Sequence, residues 1–243
     1  MQYTISARGK LAGQPIQQFI AKNYSNIPLQ EIDSFFGFAE RTTLYGGRIF
    51  GGAELSRYDI RSLYKLGIGL RLPITNHHAT VDEYRENIPF LEKYNRPGNS
   101  LIITNDKLAC WIRKDFPGYR LEASVIKNIN NLNKVHAALE IYDTVILPMD
   151  ANNDESFLQS IDRKKDITLF ANAGCALTCP SKMCYPSISM ANKSGDADLF
   201  QCSRKLKDRN MIGMHDFDLD YLHALGFDRF KLLRPREGNM TGH

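Results

Sequence analysis

The chain has 243 residues, of which 43% are hydrophobic and 24% charged, a balance that supplies a sizeable core and excludes a disordered or fibrous protein. Its 31 basic and 27 acidic side chains leave a net charge of +4, too small to imply nucleic-acid binding without a local basic patch. The amino terminus lacks the basic and then apolar regions of a signal peptide, and no run approaches the roughly 18 apolar residues of a membrane span, so a cytoplasmic protein without membrane contact is expected.

Short β-rich apolar runs alternate with segments of helical spacing from end to end. The predicted strands are residues 2–6, 32–39, 68–75, 100–105, 120–125, 144–149, 167–172 and 229–234. Between them the spacing predicts helices over 55–66, 80–94, 106–116, 131–142, 155–164 and 216–225. Thr80 followed by Glu83 has the spacing of a capping box, and Leu132, Val135, His136, Leu139 and Tyr142 fall on one helical face. Strands such as Ser100-Leu-Ile-Ile-Thr are apolar in runs, as expected when both faces are covered. Eight such units predict an α/β fold of one domain, residues 1–243, closed as a TIM-like (β/α)8 barrel.

Residues 173–215 follow the seventh predicted strand and form a connection far longer than the usual two to six residues or so. It is expected to be an insertion loop, and it carries Cys175, Cys179, Cys184 and Cys202, all the cysteines but Cys110. In a reducing compartment such a cluster reads as a metal or redox site rather than two disulfides. Four thiolates complete either a structural zinc or an iron-sulfur site. The spacing Cys-x3-Cys-x4-Cys-x17-Cys lacks the Cys-x2-Cys pairs usual for zinc, whereas a 4Fe-4S cluster accepts wider spacings. Lys182, Lys193, Arg204 and Lys205 offer positive charge to such thiolates. The first two cysteines also fit the opening of a radical-SAM triplet, but its third position falls on Lys182. Cys110, with apolar neighbours on a predicted helix, is expected in the core.

The run Asn172-Ala-Gly-Cys-Ala-Leu-Thr-Cys-Pro-Ser-Lys-Met-Cys184 is similar to the Asn-x-x-Cys-x3-Cys-Pro signature of peptidase family U-thirty-two. Gly-Phe-Asp-Arg-Phe-Lys-Leu near Arg234 resembles that family's closing strand, and Leu121-Glu-Ala-Ser124 adds to the likeness. The resemblance implies a barrel holding a 4Fe-4S cluster on Cys175, Cys179, Cys184 and Cys202, with Cys202 less secure because ligand spacing varies in the family. It also implies oxygen-independent hydroxylation of an anionic or aromatic metabolite, and, since some members work as paired subunits, a second barrel protein as partner. RNA as a substrate is disfavoured, because the chain lacks the added carboxy-terminal domains of the RNA-modifying members. No nucleophile-base-acid arrangement for proteolysis is found, despite the family's name. The competing expectation is a non-catalytic accessory or binding subunit with a structural zinc or cluster.

Barrel enzymes carry their chemistry at the carboxy ends of the strands, where Glu40, Arg41, Asn76, His77, Asn105, Asp106, Ser124, Asp150, Asn172, Arg234 and Arg236 stand. Arg48, Asn172 and Arg234 are taken as the catalytic set, the arginines to meet an anion. Asp106 and Asp150 read rather as helix N-caps, His77 and His78 as capping or surface residues, His136 as a core-edge residue, and His215 as a weaker ligand than Cys202. The segment Gly46-Gly-Arg-Ile-Phe-Gly-Gly reads as a flexible loop over the mouth, without the context of a dinucleotide site.

Overall fold

The structure, a computed structural model, describes residues 1–179, 181–205, 208 and 214–233. Arg234 and Arg236 lie outside the described residues. The barrel strands are β1 (Gln2–Ser6), β2 (Ile32–Phe36), β3 (Gly69–Leu72), β4 (Ser100–Ile103), β5 (Arg120–Ala123), β6 (Thr144–Ile146), β7 (Ile167–Phe170) and β10 (Arg229–Leu232). They close in the order β1-β10-β7-β6-β5-β4-β3-β2, and every neighbour is parallel. The expected TIM-like barrel is the observed fold. Each strand stops two or three residues before the end of its apolar run, except β1, because the chain there leaves the ladder to form the mouth.

The helices are α1 (Ile16–Asn23), α2 (Arg57–Lys65), α3 (Val81–Glu86), α4 (Ile88–Tyr94), α5 (Asp106–Asp115), α6 (Leu132–Leu139), α7 (Glu155–Ser160), α8 (Cys184–Ser194) and α9 (Leu219–Ala224). Capping boxes start two of them: Ser56 with Asp59 on α2, and Thr80 with Glu83 on α3. The helix predicted over 80–94 is broken at Asn87, since Pro89 fits the first turn of α4 but would clash with the carbonyl of Arg85 in a continuous helix. α1 was not predicted; its eight residues bury only Ile16, Phe19 and Ile20. Among the described residues no helix is long and apolar enough to cross a membrane.

The predicted insertion loop is partly regular. β8 (Asn172–Ala173) and β9 (His215–Asp216) pair antiparallel, and α8 runs between them. Pro186 occupies the third position of α8, where no intrahelical N–H is needed, and Gly195 ends the helix at φ 80°.

Below the mouth the barrel interior is polar. Glu122 is completely buried; its Oε1 accepts from Arg71 Nε at 2.9 Å and from the Ser100 hydroxyl at 2.5 Å. Thr4 and Ser34 hydroxyls meet at 3.1 Å, and Thr144 and Thr168 are buried alongside. Arg71 Nη1, Glu122 Oε2, Thr144 Oγ1 and Thr168 Oγ1 find no protein partner among the described residues.

Four expectations need correction. Cys110 is exposed, because α5 buries Leu108, Ala109 and Ile112 and turns the residue between them outward. His136 is exposed on α6 beside Asp162, since Val135, Ala138 and Leu139 take the buried stripe. Asn105, not Asp106, caps α5; Asp106 accepts instead from Tyr142 and Lys127. Asp154, not Asp150, caps α7, because a 3-10 turn over Met149–Asn153 intervenes.

Candidate functional site at the barrel mouth

Two cavities adjoin at the carboxy ends of the strands. The smaller, about 20 Å³, is walled by all four cysteines of the long connection, with Lys182, Tyr185 and Arg204. The cysteines are free thiols. The larger, about 170 Å³, fills the mouth and is walled by Phe36, Gly46, Arg48, Ile102, Phe170 and Lys231 among others. Cys175, Ala176 and Tyr185 line both and form the partition.

The sulfur surroundings suit anionic sulfur. Lys182 N–H donates to Cys179 Sγ, and Arg204 N–H to Cys202 Sγ, each at 3.4 Å. Lys182 reaches this position with a left-handed φ of 50°, a conformation that costs a non-glycine residue and persists only where surroundings enforce it. Burial alone would raise the Cys179 thiol, but N–H donation from Lys182 and Ser181, the Ser203 hydroxyl and the Arg204 charge outweigh it and hold the thiol below its ordinary value. Cys184 is pushed up to about 12, first by burial and then by Cys202, Cys175 and Cys179. Tyr185 is raised by burial and by the charges of Cys184, Cys175 and Cys179. Deprotonating all four thiols in one pocket would set them against one another, a repulsion that a bound cationic centre relieves.

Among the described residues no three His, Cys, Asp or Glu side chains are gathered tightly enough to hold a single metal ion. The four cysteines that wall this cavity are the donors that either a four-iron cluster or a zinc ion would need. Of the basic residues proposed for charge, Lys182 and Arg204 line the cysteine cavity. Lys193 instead pairs with Glu83 and donates to the His78 carbonyl, and Lys205 is exposed.

The mouth is held by two buried asparagines. Asn76, beyond β3, donates from Nδ2 to the carbonyls of Thr43 and Ser189 at 2.8 and 2.9 Å. Asn192 of α8 donates to the Arg48 carbonyl at 2.8 Å, and its Oδ1 accepts from Phe50 N–H at the same distance. The Gly46-Gly47-Arg48 segment does cover the mouth as expected, but it is clasped rather than loose. A Cβ on Gly46 would lie 2.4 Å from the Thr75 carbonyl oxygen, so only glycine permits this approach.

Arg48 lines the larger cavity, its guanidinium 4.5 Å above the Phe38 ring and bound through both terminal nitrogens to Glu54. Ser124 also lines it and caps a 3-10 turn. Asn172 is buried outside the cavity wall, its Oδ1 accepting from Leu233 N–H. His77 Nδ1 meets the Ser189 hydroxyl at 3.1 Å, and burial, then His78, lowers its pKa. Glu40 pairs with Lys93 away from the mouth, and His215 pairs with Ala173 in the small sheet. Lys231 and Tyr185 were missed. The signal for Lys231 was a cation inside the short closing strand, in register with Phe170 of β7 and Thr4 of β1.

No protein-family model matches the chain, and no curated protein matches it. A solved structure of the U32 peptidase Mk0906 superposes with a TM-score of 0.66, covering 98% of this chain and 94% of that one at 11% identity. The likeness is one of fold, and it extends over nearly the whole of both chains.

Proposed function

We propose that this barrel is an iron-sulfur enzyme that carries out a redox modification of a small anionic or aromatic molecule. Oxygen-independent hydroxylation is the form that the resemblance to peptidase family U-thirty-two implies. The observation that carries the reading is the shared partition: the pocket of Cys175, Cys179, Cys184 and Cys202 is backed by a substrate-sized cavity, with Cys175 and Tyr185 between them. A purely structural site has no need of such a neighbour, which favours an enzyme over an accessory subunit. The four cysteines would hold the cluster, which when bound supplies one-electron transfer beside the cavity. Lys182 and Arg204 amides steady the sulfurs, while Phe36, Ile102 and Phe170 exclude water from the ligand space.

Anaerobically purified protein is expected to hold about four iron and four sulfide per chain and to show visible absorbance that bleaches on reduction. Colourless protein holding zinc would overturn the proposal.

A further inference from the structure

Lys231 of β10 has no part in the cysteine site, yet it is 7% exposed and lines the mouth cavity. Its ammonium lies 4.4 Å from the Phe36 ring centroid and 6.0 Å from that of Phe170. Among the described residues Nζ has neither a hydrogen-bond acceptor nor an ion-pair partner. Of the carboxylates nearby, Glu54 is bound to Arg48, and Glu122 places Oε1 on Arg71 and Ser100 while its unpartnered Oε2 forms no ion pair with Nζ. A buried, unpaired ammonium is costly in the free protein, and the two rings compensate only in part. Arg48, by contrast, is already neutralised.

We propose that Lys231 is the anion anchor of the mouth cavity, binding the single carboxylate or equivalent oxyanion of a compact, mainly apolar ligand whose body lies against Phe36, Ile102 and Phe170. This names the ligand class for the function proposed above and rests on that reading only in treating the ligand as the substrate. The charged and titratable groups around Lys231 are Glu122 from β5, Arg71 from β3, Arg48 and Arg8 from the connections after β2 and β1, and Cys175 and Tyr185 from the partition. Burial brings the lysine down to about 8, with Glu122 opposing and Arg71 and Arg48 adding to the fall. Anion binding is therefore full below that value and weakens as pH rises through it.

Benzoate and its neutral counterpart benzamide are suitable probes, titrated calorimetrically into the purified protein, with iron and sulfide measured on the same sample. Benzoate should bind about tenfold or more tighter than benzamide at neutral pH, and the preference should shrink at alkaline pH. Lys231→Met should erase the preference and raise the melting temperature, since it removes a buried unpaired charge. Equal binding of the two probes, or no detectable binding of either, would overturn the anchor, as would a preference that survives in Lys231→Met. Lost preference in cluster-bearing protein counts against the anchor alone, whereas a preference kept in protein without iron counts against the enzyme reading alone.

Discussion

At the scale of single residues, the small cavity gathers the four cysteines proposed as ligands and leaves Cys110 apart from them. Cys175→Ala or Cys179→Ala is expected to abolish iron and sulfide binding, while Cys110→Ala leaves both unchanged because Cys110 faces solvent on α5. Iron retained in Cys202→Ala but lost in Cys110→Ala would show the fourth ligand to be misassigned. The cysteines stood out in the sequence because all but Cys110 fall within residues 175–202. Lys231 was not, because lysine is ordinarily a surface residue and only the closure of β10 onto β7 and β1 puts it beside two phenylalanines. Cys110 shows the converse: apolar neighbours in sequence do not decide which side of a helix one residue takes.

At the scale of elements, the clasp between α8 and the Gly46-Arg48 segment links the cysteine site to the mouth. Asn192→Ala should cost about 1–3 kcal/mol, since it strands the Phe50 N–H and the Arg48 carbonyl; chemical denaturation measures it, and an unchanged midpoint would argue that the clasp is idle. A second test concerns α2. Although burial pulls the Asp59 carboxyl upward, the Ser56 hydroxyl and amide and Lys10, whose Nζ is 2.9 Å away, outweigh it and hold the group below its ordinary value. A carboxyl lowered by folding adds stability above its unfolded value of about 3.9 and loses it as pH falls through the folded value. Asp59→Asn should therefore flatten the acid limb of the stability curve, and an unaltered limb would contradict the assignment. The helix α8 escaped prediction because Pro186 reads as a breaker, whereas in the first turn it is tolerated. Apart from α1, whose eight residues bury only Ile16, Phe19 and Ile20, the alternation of strands and helices was plain along the rest of the chain, since parallel strands covered on both faces leave continuous apolar runs.

At the scale of the whole molecule, the barrel combines an apolar jacket with a polar centre. Glu122→Ala leaves Arg71 buried with only the more distant Asp33 for charge, at 3.4 Å from Nη2, and is expected to destabilise the fold by about 3–5 kcal/mol. Thermal unfolding tests this directly, and a loss near zero would mean that water reaches Arg71. The same filled centre has a kinetic consequence. Arg71, Ser100, Glu122, Thr144 and Thr168 are all 4% exposed or less and fill the barrel beneath the cavity, so among the described residues the far end offers the cavity no path to solvent. If Lys231 holds the anion as proposed, a product that keeps that anion would occupy the same place as the next substrate and is expected to act as its simple competitor.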